Sequence, residues 1–457
     1  MIHRLASLFV ALVAVVATGG CITDPVTGRS VVGAPISEAE EEQMGLQYKP
    51  AIVQQFDGPY PDAALQDHLG KIVLGMAHRS VRPDLPWTFT VLNTSVPNAF
   101  AVPGGQVFVT RGLLTEMEDE AEFAVVMGHE LGHVEHRHSV QQQGQQLLVG
   151  VAASAAAATW GDTAGQGVAV AGQLGILLPY SRADETESDV RGIENSYAAG
   201  YDPRQGADVF RTFLKMKKEA GDGTPTWLST HPADEERIQN VLRLSAAKDP
   251  RLAGSNPVPG LRVTTPTWGQ LIARLRSEQE TYDRYDAAMK AIGDAKGSKA
   301  SIQAAIPAFR QCARDLPGHA LLHATLGKAL IISGDTRNGQ SELERASSMN
   351  QQLFEPEYLL GALALESKDW NRAGSYAQRG LAVLPENYLC LYVRGEASWN
   401  MGRKAEAEQD LRAVLETAPD TSEEYKSAAS RLGVTTDAAK APKKAPAKAA
   451  TTRKKPR

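Results

Sequence analysis

His129, Glu130 and His133 stand in the order H-E-L-G-H within a chain of 457 residues. On an α-helix, residues four apart share a face with Cβ atoms about 5–6 Å apart, so two imidazoles in this register can grip one metal ion. Glu130 lies about 100° round the same helix, beside such an ion, where its carboxylate can take a proton from a water. On a surface helix with merely hydrogen-bonded histidines the same letters would do no chemistry, so partners elsewhere in the chain must decide.

The helix that carries these residues is legible. Asp119 with Glu122 three positions on resembles a capping pair that opens a helix. Phe123, Val126, Met127, Leu131 and Val134 follow at helical spacing, which predicts one apolar face with the histidine pair projecting from another.

Hydrolytic zinc sites commonly take three protein ligands. The stretch Tyr180–Arg191 offers four carboxylates for the third: Asp184, Glu185, Glu187 and Asp189. A ligand carboxylate and a carboxylate that steadies a ligand histidine should share a helix face. Glu185 and Asp189 are four apart and do so, whereas Glu187 and Asp189 are two apart and do not. The spacing therefore makes Glu185 the ligand and Asp189 its support, with Glu187 as the fallback. His136 and His138 follow His133 at no ligand-pair spacing and read as structural or supporting residues.

Three segments together, H-E-L-G-H-V-x-x-R-H-S, Y-S-R-x-x-E-x-E-x-D and Ser229-Thr-His-Pro232, resemble the M48 family of zinc metallopeptidases. The resemblance runs from about Asp24 to Arg237. It implies one Zn²⁺ per chain held by His129, His133 and Glu185, with Glu130 and Asp189 as catalytic residues. Ser188 stands where the family commonly has Ala, and this leaves the ligand positions intact. The segment Pro97–Val109 also matches. Its residues alone read as two β-rich runs around a Pro-Gly-Gly turn, and in the family this region forms a strand beside the cleft. In periplasmic members with a helical-repeat tail, the histidine of Ser-Thr-His-Pro can approach the zinc. By that resemblance His231 is a latency switch or a transition-state stabiliser, with Arg237 in support. Substrate polypeptide is expected to lie extended along Asn98–Val102.

The address is written at the other end. Leu5–Ala17 is apolar and about 13 residues long, short for a membrane span but suited to a secretory signal. Small residues then precede Cys21 in a pattern resembling a bacterial lipobox, which predicts cleavage after residue 20, a lipid on Cys21 and an outer-membrane protein facing the periplasm. A soluble periplasmic protein is the alternative. The two other cysteines, Cys312 and Cys390, are expected to be too far apart to pair.

With 42% hydrophobic and 22% charged residues and a net charge of −5, the chain has the composition of an ordinary globular protein of two or three domains, and no nucleic-acid partner is expected. Gly327, Gly361 and Gly395 recur every 34 residues, as do Ala373 with Ala407 and Pro385 with Pro419, which is the tetratricopeptide period. Four repeats are expected at 286–319, 320–353, 354–387 and 388–421. From residue 434 the chain carries eight Lys/Arg against one Asp and should be a disordered basic tail. The Ala/Gly-rich stretch 147–178 is expected to form helices that lie over the cleft as a lid.

The predicted architecture is α+β, mainly α. It comprises a signal peptide (1–20), a zincin-like metalloprotease domain with a small edge β-sheet (21–250), a linker (251–276), a tetratricopeptide-like α-helical solenoid (277–421) and the tail (434–457). The partners this implies are unfolded or misassembled envelope proteins, the outer-membrane assembly machinery through the repeats, and a membrane through the lipid. A chaperone-like binding module with secondary proteolysis is the rival reading.

Overall fold

The computed structural model describes residues 21–143, 179–220, 227, 230–232 and 234–434. The expected signal peptide, lid and nearly all of the basic tail lie outside the described residues. The chain divides into two compact units, Met1–Leu321 and Leu322–Arg457.

The first unit opens with an antiparallel ribbon of β1 (Cys21–Thr23) and β2 (Ser30–Val32), followed by α1 (Glu38–Gln55) and α2 (Ala63–Ala77). A three-stranded mixed sheet comes next, formed by β3 (Thr88–Leu92), β4 (Ala99–Val102) and β5 (Gln106–Thr110) in the order β3-β5-β4. β3 runs parallel to β5 and β4 antiparallel to it, with Phe100 opposite Phe108. The expected hairpin therefore forms, and β4 is an edge strand. Its turn places Gly104 and Gly105 at φ +77° and +81°, a region that only glycine enters without strain. A Cβ on Gly104 would also stand 2.7 Å from the Glu41 carbonyl oxygen, so the turn is pressed against α1.

After the short α3 (Arg111–Glu116), α4 (Glu120–Glu135) starts at Asp119 with the expected capping box: Asp119 accepts from the Glu122 N–H and Glu122 from the Asp119 N–H. All sixteen of its residues are buried. Its polar face is covered by other polar side chains rather than by water. α5 (Arg182–Ala198) and α6 (Gln205–Ala220) pack against it, and α7 (Glu235–Lys248) packs against both of them.

The expected linker at 251–276 is also corrected. A 3₁₀ turn occupies Pro250–Ala253, and α8 runs over Pro266–Ser277. Pro266 is the first helical residue, where a missing N–H costs nothing, and Thr265 caps it. Trp268 is 1% exposed, packs on Phe123 and donates to the Glu118 carbonyl, so this segment belongs to the core of the first unit.

The repeats appear as helix pairs: α9 (Gln279–Asp294) with α10 (Lys299–Asp315), α11 (Ala320–Ser333) with α12 (Thr336–Met349), α13 (Phe354–Glu366) with α14 (Trp370–Val383), and α15 (Tyr388–Asn400) with α16 (Lys404–Thr417), followed by α17 (Glu423–Leu432). The pairs follow the 34-residue phase, except that the first begins several residues early. That first pair lies in the first unit. Arg111 stacks over the Tyr282 ring at 3.7 Å, and the Tyr60 hydroxyl donates to Glu278 at 2.7 Å. In the second unit the small residues of the period sit where helices touch. A Cβ on Gly327 would meet the Gly339 carbonyl at 2.9 Å, and one on Gly395 would meet Leu411 at 3.0 Å. Cys21, Cys312 and Cys390 are all free thiols. Among the described residues no helix is long and apolar enough to cross a membrane.

Candidate metal centre

α4 and α5 cross in close contact because small residues face one another. A Cβ on Gly128 would stand 3.0 Å from the Gly192 carbonyl, and one on Gly132 would stand 3.1 Å from the Ser188 Cα. Larger residues there would hold the helices apart. The contact brings the α5 carboxylates onto the α4 histidines, and Ser181 fixes the start of α5 with a capping box to Asp184.

His129, His133, Glu185 and His231 each bring one donor atom to within 4.8 Å of the others, all four residues being buried. His129 Nε2 is 3.1 Å from His133 Nε2 and 3.7 Å from Glu185 Oε2. His133 Nε2 is 3.4 Å from Glu185 Oε1. His231 Nδ1 is 3.4 Å from His129 Nε2 and 2.9 Å from Glu185 Oε1. Four donors about 2.0–2.2 Å from a central zinc, at the corners of a tetrahedron, would stand about 3.3–3.6 Å apart. The donor set and its edges thus fit such an ion.

The proton inventory points the same way. His129 Nδ1 lies 2.9 Å from Asp189 Oδ1, so its proton belongs there and Nε2 is left with a bare lone pair. That lone pair faces His133 Nε2, an arrangement a cation between them would satisfy. Asp189 is in turn gripped by Arg237 and therefore orients His129 rather than meeting the donor cluster itself. The fallback, Glu187, is not in the cluster; it lies 3.2 Å from His138 Nε2.

Burial sets the charges. It pushes the Glu130 carboxyl up from its ordinary value, against the pull of His231 and His129. Burial would raise Glu185 as well, but His231 and the bond from His133 hold it well below the usual carboxylate range. Burial also keeps the His133 imidazole neutral, its pKa falling well below the ordinary histidine value. An ionised Glu185 and a neutral His133 are the forms that bind metal.

Two contributors were not singled out from sequence. Trp227 donates through Nε1 to Glu130 Oε1 at 3.3 Å and stacks on His231 at 4.9 Å. Its signal was its place four residues, one turn, before His231. Tyr180 stacks on His133 with centroids 3.9 Å apart, while its hydroxyl bonds Ser139. Arg237, on the first turn of α7, also lies 2.7 Å from Glu185. Cys21 is exposed on β1 and takes no part in the cluster.

A histidine-rich helix with a glutamate beside the donors, crossed by a second helix supplying the carboxylate and flanked by a sheet with an edge strand, defines the class of zincin-like metallopeptidases. Residues 63–245 match the model of peptidase family M48, and the domain belongs to that family; residues 389–421 match a tetratricopeptide repeat. The mitochondrial metalloendopeptidase OMA1 of Schizosaccharomyces pombe is 34% identical over 158 residues, covering 35% of this chain and 46% of its own. The Arabidopsis thaliana protein of the same name is 33% identical, covering 36% and 33%. The beta-barrel assembly-enhancing protease of Escherichia coli is 27% identical over 264 residues, covering 55% and 53%. This chain spans about half the length, or less, of these curated relatives.

Proposed function

We propose that this chain is a zinc-dependent metalloendopeptidase of the bacterial cell envelope, one Zn²⁺ per chain, that degrades misfolded or stalled outer-membrane and periplasmic proteins. The observation that carries the reading is Glu130, a buried carboxylate set beside three histidines and a glutamate whose donor atoms converge. His129, His133 and Glu185 would hold the metal, which supplies Lewis acidity toward a water and the scissile carbonyl. Glu130 takes the proton of the attacking water and delivers it to the leaving amine, and its raised pKa suits both tasks. Asp189 keeps the His129 proton on Nδ1, and Arg237 keeps Asp189 in place. An extended substrate would pair with the edge strand β4. His231, at the fourth corner, and Trp227, on Glu130, together cap the machinery in a resting state.

The envelope address rests on the lipobox-like residues before Cys21 and on the similarity to the Escherichia coli protease. The lipid on Cys21 would tether the domain to the outer membrane, and the repeats would present substrates or contact the assembly machinery. Glu130→Gln tests the reading: peptide cleavage should fall by about 10²–10⁴-fold while metal content is kept. Full activity in that variant would sink the assignment. An unchanged cellular phenotype with retained client binding would favour a chaperone-like role for the repeats instead. Metabolic labelling with palmitate, lost in Cys21→Ala, tests the anchor.

A further inference from the structure

The two histidines of H-E-L-G-H are steadied by different devices. His129 Nδ1 meets a carboxylate directly, whereas His133 Nδ1 lies 3.0 Å from Nδ1 of a third histidine, His138. His138 Nε2 in turn lies 3.2 Å from Glu187 Oε2. His133 and His138 are 2% and 1% exposed, while the Glu187 side chain is 42% exposed. A neutral imidazole carries one proton. If His133 offers its Nε2 lone pair to a metal, its proton sits on Nδ1 and is donated to His138 Nδ1. His138 must then carry its own proton on Nε2 and donate it to Glu187. Every bond in the chain is satisfied in this one direction. Ser188 Oγ, 3.4 Å from the same His138 Nδ1, can only add a second donor to it.

We propose that His138 and Glu187 are positioning residues for the metal ligand His133, forming a histidine relay that fixes its tautomer and ring orientation from the protein surface. The proposal rests on the reading that the cluster of His129, His133, Glu185 and His231 holds a metal. A competing use of the same residues is a second cation site, because donor atoms of His136, His138 and Glu187 also converge, and Asp24 Oδ2 lies 3.0 Å from His136 Nδ1. The proton chain disfavours it: a cation would need the lone pair of His138 Nε2, and in the relay that atom bears the hydrogen. His136 belongs to the Asp24 contact and stands outside the relay.

The test measures metal affinity of the full chain by competition with a chromophoric chelator, together with the visible spectrum of the cobalt-substituted protein. His138→Leu and Glu187→Ala should each weaken affinity by about 10–100-fold and shift the cobalt bands. His138→Asn, which keeps an acceptor facing His133, should recover most of the loss, as a purely space-filling role would not predict. Melting of the metal-free proteins reports folding separately, and the exposed Glu187 keeps the test usable if His138→Leu does not fold. Wild-type affinity and an unchanged spectrum in Glu187→Ala would overturn the relay. So would two metal ions in the wild type with the second lost in that variant. Glu185→Ala separates the two readings: if it leaves metal binding intact, the metal centre itself is misassigned, whereas if it abolishes binding and Glu187→Ala does nothing, only the relay fails.

Discussion

Arg237 and Asp189 meet in parallel, Nε to Oδ2 at 3.0 Å and Nη2 to Oδ1 at 2.6 Å, with both side chains under 10% exposed. The remaining guanidinium nitrogen reaches Glu185 at 2.7 Å. One residue on the first turn of α7 thus holds both the carboxylate that orients His129 and the carboxylate in the donor cluster. Arg237→Gln leaves Asp189 buried without its counter-charge and should cost about 3–5 kcal/mol in chemical denaturation. Arg237→Lys keeps the charge but loses the fork, so metal affinity should still fall about 10–100-fold by chelator competition.

His231 occupies the fourth corner of the donor set, and Trp227 of the same segment holds Glu130. A site closed by its own chain is active only in the fraction of molecules that open, commonly about 0.1–10% for such a two-state equilibrium. His231→Ala should therefore raise the rate of peptide cleavage about tenfold or more. A fall in that rate would identify the imidazole as a transition-state stabiliser.

The cap of α4 carries a pH dependence of its own. Burial, with Asp208 and Asp202 nearby, raises Asp119 to about 6, and burial, with Asp119 nearby, raises Glu122 to about 7. Both carboxyls thus titrate higher in the folded chain than in the unfolded one, whose Glu value is 4.5. The folded state binds more protons across this window, so stability is greatest at its acid end and is lost as pH rises toward 7. Glu122→Gln keeps an acceptor for the Glu118 and Asp119 N–H groups without the charge. Its unfolding free energy should exceed that of the wild type at pH 8 by a margin on the order of 2 kcal/mol, and converge with it below pH 4.5.

The repeat glycines are not equivalent. A Cβ on Gly327 would press the Gly339 carbonyl at 2.9 Å, whereas one on Gly361 would meet a Val393 methyl at 3.3 Å. Backbone cannot give way as a side chain can. Gly327→Ala should destabilise the second unit by about 1–3 kcal/mol. Gly361→Ala should lie within about 1 kcal/mol of neutral, because alanine's helix propensity offsets the squeeze. Thermal melts of the two variants check the order.

Chemistry was the most legible layer of this sequence. The four-residue steps His129–His133 and Glu185–Asp189 specify which atoms can share a helix face, and the structure brings Glu185 to the histidine donors and Asp189 to His129 Nδ1. The capping pair of α4 and the 34-residue phase are likewise local, and both appear. What could not be read is what depends on distant neighbours. The burial of the polar flank of α4 is one such feature, because a single helix does not reveal that α5, Trp227 and His231 will cover it. Residues 251–276 read as a linker because the proline ring that ends a helix also starts one, and only the Thr265 cap and the burial of Trp268 decide which. The relay from His133 to Glu187 joins side chains 54 positions apart, and no periodicity encodes it.

Arg111 is wholly buried, and its cationic face lies on the ring of Tyr282, a residue that the repeat period alone would assign to another domain. Cutting the gene between α7 and α8 would strip away that ring, the Trp268 indole and the Glu278 partner of Tyr60 at once. The smallest autonomous form of the first unit therefore extends to about Asp315, and shorter fragments should be recovered as aggregates.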